Sequence, residues 1–191
     1  MEGKEPSVTR QVRVIWNGKL ETTFTREVEG LTPKMMIWWL THRKDTERYK
    51  LWHPDHIEFK VLYKPEKGHV GSVYFERQKR AGSLEKITAV VLAVSDTTYA
   101  QLFRFAGRWI PRYTIQLFEE FEATPTGTIV HGIQIVGSDN RVWGRFWNFI
   151  TRKFLFTEKT RARQAEHGLL ERENMLKILP KLYAEFADKE D

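Results

Sequence analysis

The sequence predicts an α+β domain in which a curved antiparallel sheet wraps around one long C-terminal helix and leaves an internal cavity. Three observations predict this class. Strand-like segments follow one another through the middle of the chain, a single long amphipathic segment follows them, and aromatic residues make up 13% of the 191 residues. A curved sheet needs cover on its inner face, and only this last segment is large enough to provide it.

The amino-acid composition and charge exclude several kinds of chemistry and of binding partner. The chain has no cysteine, so disulfides and thiolate chemistry are excluded, and a metal site must use His, Asp or Glu. The N-terminal stretch has no apolar run, so we expect a cytoplasmic protein with no membrane partner. The net charge of +6 comes from short basic patches interspersed with acidic residues. They are typical of a solvated face, and we expect no nucleic-acid partner.

The first elements are defined by turn and capping signals. Residues 1–10 are predicted to be a flexible N-terminus, and residues 11–191 a single domain. A strand over Gln11–Trp16 is followed by Asn17-Gly18, a strong hairpin signal. Thr32-Pro33 is an N-cap followed by proline at the first helical position, which predicts an apolar helix.

Strands dominate the middle of the chain. Thr98–Arg108 is ambiguous between a short helix and a crossing segment. Turn residues, among them Ala81-Gly82-Ser83, separate the predicted strands. The predicted strands are Ile57–Tyr63, His69–Lys79, Lys86–Val94, Tyr113–Ala123 and Thr128–Gly137.

The last part of the chain is predicted to be helical. Arg141–Phe156 is interpreted as a lid or as the start of the last helix, and its aromatic residues Trp143–Phe149 suggest a homodimer surface. Thr160–Ala187 has apolar residues at helical spacing, with a kink expected at Pro180. The order of elements matches a helix-grip layout.

The segment HGLLE places His167 and Glu171 one helical turn apart, on the same face. Helical spacing continues this face into Leu170, Met175 and Ile178, which are predicted to face the sheet. An inward carboxylate needs neutralisation. A metal ion and an ordinary buried His–Glu hydrogen bond both satisfy this need.

The segment YKLWHPDH, residues 49–56, places His53 and His56 around a proline at the entry to a strand. Imidazole is a common zinc ligand. The alternative is that Trp52 packs in the core while the histidines cap a turn. Strand parity puts His56 opposite the apolar residues, so it faces the cavity only before the regular strand or at a bulge. On the next strand, Glu76 stands among apolar residues.

Together, YKLWHPDH, the FER of the following strands and the late HGLLE resemble the 2,4-diacetylphloroglucinol hydrolase family, whose fold is similar to Bet v 1 and START proteins. The resemblance implies zinc-dependent hydrolysis of a carbon–carbon bond next to a ketone. It implies the zinc ligands His56, Glu76, His167 and Glu171. It also implies contact between Tyr49 and the substrate, whereas Phe59 lies near the position where the family has a substrate-contacting asparagine.

The leading hypothesis is therefore a zinc hydrolase of retro-Claisen type that acts on a small aromatic or polyketide-like ketone. His53 and Tyr49 are the candidate catalytic residues, and His131 is a further candidate for proton transfer. Tyr49, Phe59 and His131 are candidates for substrate binding, although His131 equally fits a satisfied sheet residue. The alternatives are a non-catalytic carrier of an apolar ligand and a metal-independent cyclase with the same cavity.

Overall fold

The computed structural model describes residues 8–80, 83–105 and 113–190. A short 3-10 turn lies at Trp16–Gly18 and a π-helical turn at Thr151–Leu155. The strands are β1 Val8–Val14, β2 Leu20–Glu29, β3 His56–Tyr63, β4 Val73–Arg80, β5 Ser83–Val94, β6 Thr98–Phe105, β7 Thr114–Thr124 and β8 Gly127–Gly137. The helices are α1 Pro33–Thr41, α2 Thr46–Trp52, α3 Gly144–Ile150 and α4 Glu158–Glu190.

All eight strands form one antiparallel sheet in the order β1-β2-β8-β7-β6-β5-β4-β3. Helix α4 packs across the concave face, so the predicted α+β class with a curved sheet and a long C-terminal helix is confirmed. The predicted hairpin joins β1 to β2. At its turn, Asn17 has φ 61° and Gly18 has φ 75°, the left-handed region that Asn and Gly tolerate best.

Two short helices connect β2 to β3, and the side chain of the residue before each helix caps its N-terminus. The Thr32 hydroxyl accepts a hydrogen bond from the Met35 amide, and Pro33 takes the first helical position, as predicted. The Asp45 side chain caps α2 by accepting from the Arg48 amide. Helix α2 ends at Trp52, two residues before Pro54, and this end brings the segment at residues 53–56 against α4.

Several segments differ from the sequence-based expectation. Strand β4 begins at Val73 rather than at His69, and β5 begins at Ser83 rather than at Lys86. Strand β1 begins at Val8 rather than at Gln11. Thr98–Phe105 is a strand paired with β5 and β7, whereas residues 106–108 of the ambiguous segment lie outside the described residues, as do residues 81–82 of the predicted turn. Within Arg141–Phe156, α3 is a separate short helix, and its Phe146 is exposed. The proposed dimer surface there remains a prediction.

The predicted inner face of α4 is confirmed for His167, Glu171, Met175, Ile178 and Leu182 and is wrong for Leu170. Leu169 and Leu170 are 43% and 37% exposed, whereas Met175 and Leu179 are buried against the sheet. The polar residues of this helix occupy the inward register for the first half of its length, which displaces the two leucines toward solvent. The large core lies at the other end, where aromatic residues of α1 pack on α4.

None of the described helices is long and apolar enough to cross a membrane.

Candidate metal centre and its cavity

A cavity of about 300 Å³ lies between the concave face of the sheet and α4. Its wall is formed by the inward-facing side chains of alternating strand positions, together with one face of α4. Its polar lining is extensive. The polar and charged lining residues include Thr22, Arg26, Arg43, Tyr49, His56, Glu76, Gln78, Tyr99, Gln101, Glu119, Gln134, His167, Glu171 and Arg172.

Three of the four predicted ligands converge at one point of this cavity. The Nε2 atom of His56 lies 3.1 Å from Oε1 of Glu171, and the Nε2 atom of His167 lies 3.4 Å from the same oxygen. One ligand atom from each of the three residues lies within 4.8 Å of the other two. The structure therefore joins the histidine of the β3 entry to the helix pair of α4.

His56 reaches the cavity because β3 is irregular. The pairing of β3 with β4 shifts between His56 and Glu58, which leaves Ile57 as the extra residue of a bulge. Both His56 and Phe59 are consequently buried on the inner side. This bulge is one of the two conditions that strand parity requires. The apolar face expected beyond it does not line the cavity, since β3 is an edge strand and Val61 is exposed.

Local hydrogen bonds set the tautomers of the two neighbouring histidines. Nδ1 of His56 lies 2.9 Å from the Tyr49 carbonyl, which only accepts, so the ring proton is on Nδ1 and the Nε2 lone pair faces Glu171. Nδ1 of His53 accepts from the Asp55 amide, so the proton of neutral His53 is on Nε2. Of these two histidines, His56 is the one in the group with His167 and Glu171, whereas His53 belongs to a second group of possible ligands with Asp55 and His167.

His53 packs against the His167 ring on the side away from the cavity. Its ring centroid lies 3.8 Å from that of His167, and the residue is buried without lining the cavity. Burial lowers its pKa, and the neighbouring His167 lowers it further. A neutral His53 therefore positions the His167 ring, whereas the sequence had made it a candidate for direct proton transfer.

The geometry around Glu171 fits a bound cation. Burial alone would raise the pKa of Glu171, but the imidazoles of His167 and His56 hold it well below its usual range. Among the described residues, Nε2 of His56 and of His167 are both buried without a hydrogen bond of normal geometry. In neutral rings these nitrogen lone pairs and the ionised carboxylate repel each other, and either a proton on one ring or a bound cation between them removes the repulsion. Nitrogen and carboxylate ligands of this kind fit zinc.

Glu76 has a different partner. Its Oε1 lies 3.2 Å from Nη1 of Arg43, and both side chains are almost fully buried. The Arg43 guanidinium also contacts the Tyr99 hydroxyl and lies over aromatic rings, among them Trp52. Glu76 lines the cavity, as expected, but it is outside the cluster formed by the other three predicted ligands.

Tyr49 and Phe59 contribute mainly to the frame of the site. The Tyr49 ring stacks on His56 with a centroid distance of 3.8 Å, and its hydroxyl donates to Oε1 of Gln78. It also lines the cavity. Phe59 is packed behind, between the rings of Tyr49 and Tyr74, and does not line the cavity.

His131 lies outside the site. It is on the outer face of β8, where it contacts the Thr25 hydroxyl and the Glu122 carboxylate, and its side chain is 44% exposed. Inward positions of β8 are its even-numbered residues, such as Val130 and Gly132. The expectation that His131 binds substrate is therefore wrong, and its other interpretation as a satisfied sheet residue agrees with the structure.

Several cavity residues were missed in the sequence. Arg26 of β2 pairs with Glu119 of β7 at 2.9 Å, across the intervening β8. Burial raises the pKa of Glu119, although Arg26 opposes this. Arg43 belonged to a short basic patch in the sequence, yet it is buried. For Arg26 and Glu119, the signal that could have identified them is a charge at an inward strand position, as for Glu76.

The fold has known relatives among solved structures. Ara h 8.0201 is 9% identical with a TM-score of 0.58, over 92% of this chain and 99% of its own. A START superfamily protein from Mycobacterium smegmatis is 11% identical with a TM-score of 0.53, over 86% of this chain and 98% of its own. An uncharacterized protein from Rhizobium leguminosarum is 16% identical with a TM-score of 0.52, over 91% of this chain and 99% of its own. The fold is that of the Bet v 1/START superfamily.

Residues 12–95 match the family model of the DAPG hydrolase PhiG domain. The resemblance to this family is therefore confirmed for that segment. A comparison with curated proteins gives no match. The matched segment contains His56 but ends before His167 and Glu171. The assignment of these two residues of α4 to the cluster therefore rests on their distances to His56 alone.

Proposed function

We propose that this chain, with its Bet v 1/START fold and its match to the DAPG hydrolase PhiG domain, is a zinc-dependent hydrolase that cleaves a carbon–carbon bond next to a ketone. The substrate class is a small acyl phenol or β-diketone. Water supplies OH to the carbonyl carbon, which leaves as a carboxylic acid, and a proton to the carbon that was attached to it. The observation that carries the proposal is the convergence of His56, His167 and Glu171 inside the cavity.

His56, His167 and Glu171 would hold the zinc ion. When bound there, zinc supplies Lewis-acid chemistry that polarises a carbonyl group and acidifies water. The hydrogen bond from Nδ1 of His56 to the Tyr49 carbonyl keeps Nε2 aimed at the centre, and the ring of His53 keeps His167 in place. These contacts act before substrate binds.

Two amides in the wall supply donors for the substrate oxygens. Nε2 of Gln78 and Nε2 of Gln101 are buried cavity-lining donors without a hydrogen-bond partner among the described residues. The Tyr49 hydroxyl occupies Oε1 of Gln78, which leaves its NH2 group for a ligand. Donors fixed at the position of a developing enolate stabilise the negative charge that forms there.

Glu119 is the carboxyl best suited to hold the proton that the departing carbon takes up. It lines the cavity, and burial raises its pKa despite the ion pair with Arg26. We expect Glu119→Gln to retain zinc and to lose turnover. A carboxyl with a raised pKa is a common general acid.

The charges in the wall favour a polar ligand over a purely apolar one. The pairs Arg43–Glu76 and Arg26–Glu119 are both part of the cavity lining. An apolar ligand would remove water from these groups without replacing its hydrogen bonds, which is costly. This weakens the alternative of a lipid or polyketide carrier.

The test combines metal content with product formation. The wild-type protein is incubated with diacetylphloroglucinol and with acetylacetone, and released acetate is measured. His56→Ala and Glu171→Gln should lose both zinc and acetate release, whereas the exposed His131→Ala should keep both. Full turnover by a zinc-free variant would contradict the proposal. Ligand binding without zinc or turnover in the wild type would support the carrier instead.

A further inference from the structure

We propose that the substrate carries a carboxylate in addition to its reacting ketone, and that Arg172 binds this carboxylate with help from Arg26. The identity of the reacting ketone rests on the proposed function. The carboxylate site itself rests on separate observations, which concern the charge balance of the cavity wall.

Arg172 is a buried cation without a partner. It lies on the inner face of α4, lines the cavity and is 8% exposed. Its Nε is buried without a hydrogen bond, and its guanidinium forms no ion pair with any residue in the described part of the chain. Glu173, the next residue of the helix, is exposed and attracts Arg172 electrostatically, but it forms no ion pair with it in the described part of the chain. A bound anion would satisfy these free donors.

The carboxylates of the cavity are already neutralised. Each one that lines the described cavity lies beside a positive or ring-nitrogen partner, so none is left for Arg172. The partners are Arg43 for Glu76, Arg26 for Glu119, and His56 with His167 for Glu171. Burying an arginine without a counter-charge is costly, and a bound anion would offset that cost.

Arg26 completes the site from the sheet side. It lines the same cavity, and its Nε is buried without a partner while Nη2 bonds to Glu119. Arg172 and Arg26 thus line the same cavity from α4 and from β2. Two guanidiniums that face the same space repel each other, and an anion between them relieves this repulsion.

The chemistry of the donors points to a planar anion near the reacting centre. A guanidinium presents two parallel N–H groups that match the two oxygens of a carboxylate. Arg172 lines the same cavity as the His56–His167–Glu171 cluster, so an anion bound to Arg172 lies in the same space as that cluster. A small β-diketone with an attached carboxylate is compatible with a cavity of about 300 Å³.

The experiment compares two probes that differ in the carboxylate. Acetylpyruvate and acetylacetone share the β-diketone, and only acetylpyruvate carries the acid. We expect calorimetry to show that Arg172→Gln weakens acetylpyruvate binding about 10- to 100-fold, the range for a lost charge-assisted pair, and leaves acetylacetone unchanged. Arg163→Gln removes the same charge from an exposed position of α4 and should leave both probes unchanged.

Equal weakening of both probes in Arg172→Gln, or equal affinity of the wild type for both, would overturn the inference. Inorganic phosphate that binds more tightly than acetate would overturn the carboxylate assignment. If Arg172→Gln does not fold, Arg172→Lys keeps the charge but loses the paired donors, and should still weaken acetylpyruvate selectively.

Binding and zinc content are measured independently of turnover, which separates the two proposals. Selective loss of acetylpyruvate binding in a protein that holds no zinc and releases no acetate would support the carboxylate site and contradict the hydrolase. Acetate release from both probes, with equal affinity for acetylpyruvate and acetylacetone, would support the hydrolase and contradict the carboxylate site.

Discussion

Replacing Arg43 by methionine should strongly destabilise the fold, because it leaves a buried carboxylate without its counter-charge. Arg43 bonds to Glu76 at 3.2 Å and to the Tyr99 hydroxyl at 3.4 Å, and both members of the ion pair are buried. Methionine fills much of the same volume and keeps contact with the surrounding rings. The change therefore isolates the charge rather than the packing.

The distance sets the scale of the effect. At 3.2 Å and an effective dielectric constant of about 20, the attraction between Arg43 and Glu76 is roughly 5 kcal/mol. Desolvation offsets most of this, but breaking a buried pair by removing one partner costs about 3–5 kcal/mol, since the remaining charge stays buried. The double variant Arg43→Met/Glu76→Gln should recover part of the loss, with a coupling free energy of roughly 1–3 kcal/mol.

Urea unfolding monitored by circular dichroism measures all four members of this cycle. Arg104→Met, on an exposed position of β6, is the matched control and should change stability by less than about 0.5 kcal/mol. Additive effects of the two single substitutions would refute the reasoning. Loss of zinc in Glu76→Gln without loss of zinc in Arg43→Met would instead identify Glu76 as a direct ligand.

Three further substitutions test the frame of the cavity. Gly132→Ala places a Cβ 2.0 Å from the Phe24 ring, so this ring must move into the cavity. We expect the free energy of unfolding to fall by roughly 1–3 kcal/mol, and both the melting temperature and the affinity for any cavity ligand to fall. Leu179→Ala, fully buried, should cost about 2–5 kcal/mol in chemical denaturation, whereas the exposed Leu170→Ala should cost less than about 0.5 kcal/mol. Tyr49→Phe removes one hydrogen bond worth about 1 kcal/mol but keeps the carbonyl that orients the histidine, so zinc content should stay unchanged. Three results would contradict these expectations: an unchanged melting temperature in Gly132→Ala, equal losses of stability in Leu179→Ala and Leu170→Ala, or loss of zinc in Tyr49→Phe.

The parts of the structure that depend on local spacing could be predicted. The capping of α1 by Thr32, the hairpin at Asn17-Gly18 and the length of α4 all follow from residues close together in sequence. The shared face of His167 and Glu171 is of the same kind, because a helix places such residues one turn apart.

The remainder depends on contacts between distant segments. The burial of Arg43 requires β4 and β6 to meet the segment between α1 and α2, and nothing in its immediate neighbours indicates this. Strand β6 was ambiguous because Gln101 occupies an inward position and interrupts the expected apolar alternation. On α4, the polar residues His167, Glu171 and Arg172 line the cavity, and Leu170 beside them is displaced toward solvent. In each case a polar side chain of the cavity stands where a core residue would be expected.

The central claim is that the histidine from the β3 bulge and the helix pair of α4 hold one zinc ion in the cavity. The most direct measurement is an anomalous difference map, at the zinc absorption edge, from crystals of protein purified without chelator. The account predicts a single peak in contact with Nε2 of His56, Nε2 of His167 and the Glu171 carboxylate. A peak elsewhere, or none at full zinc exposure, would contradict it.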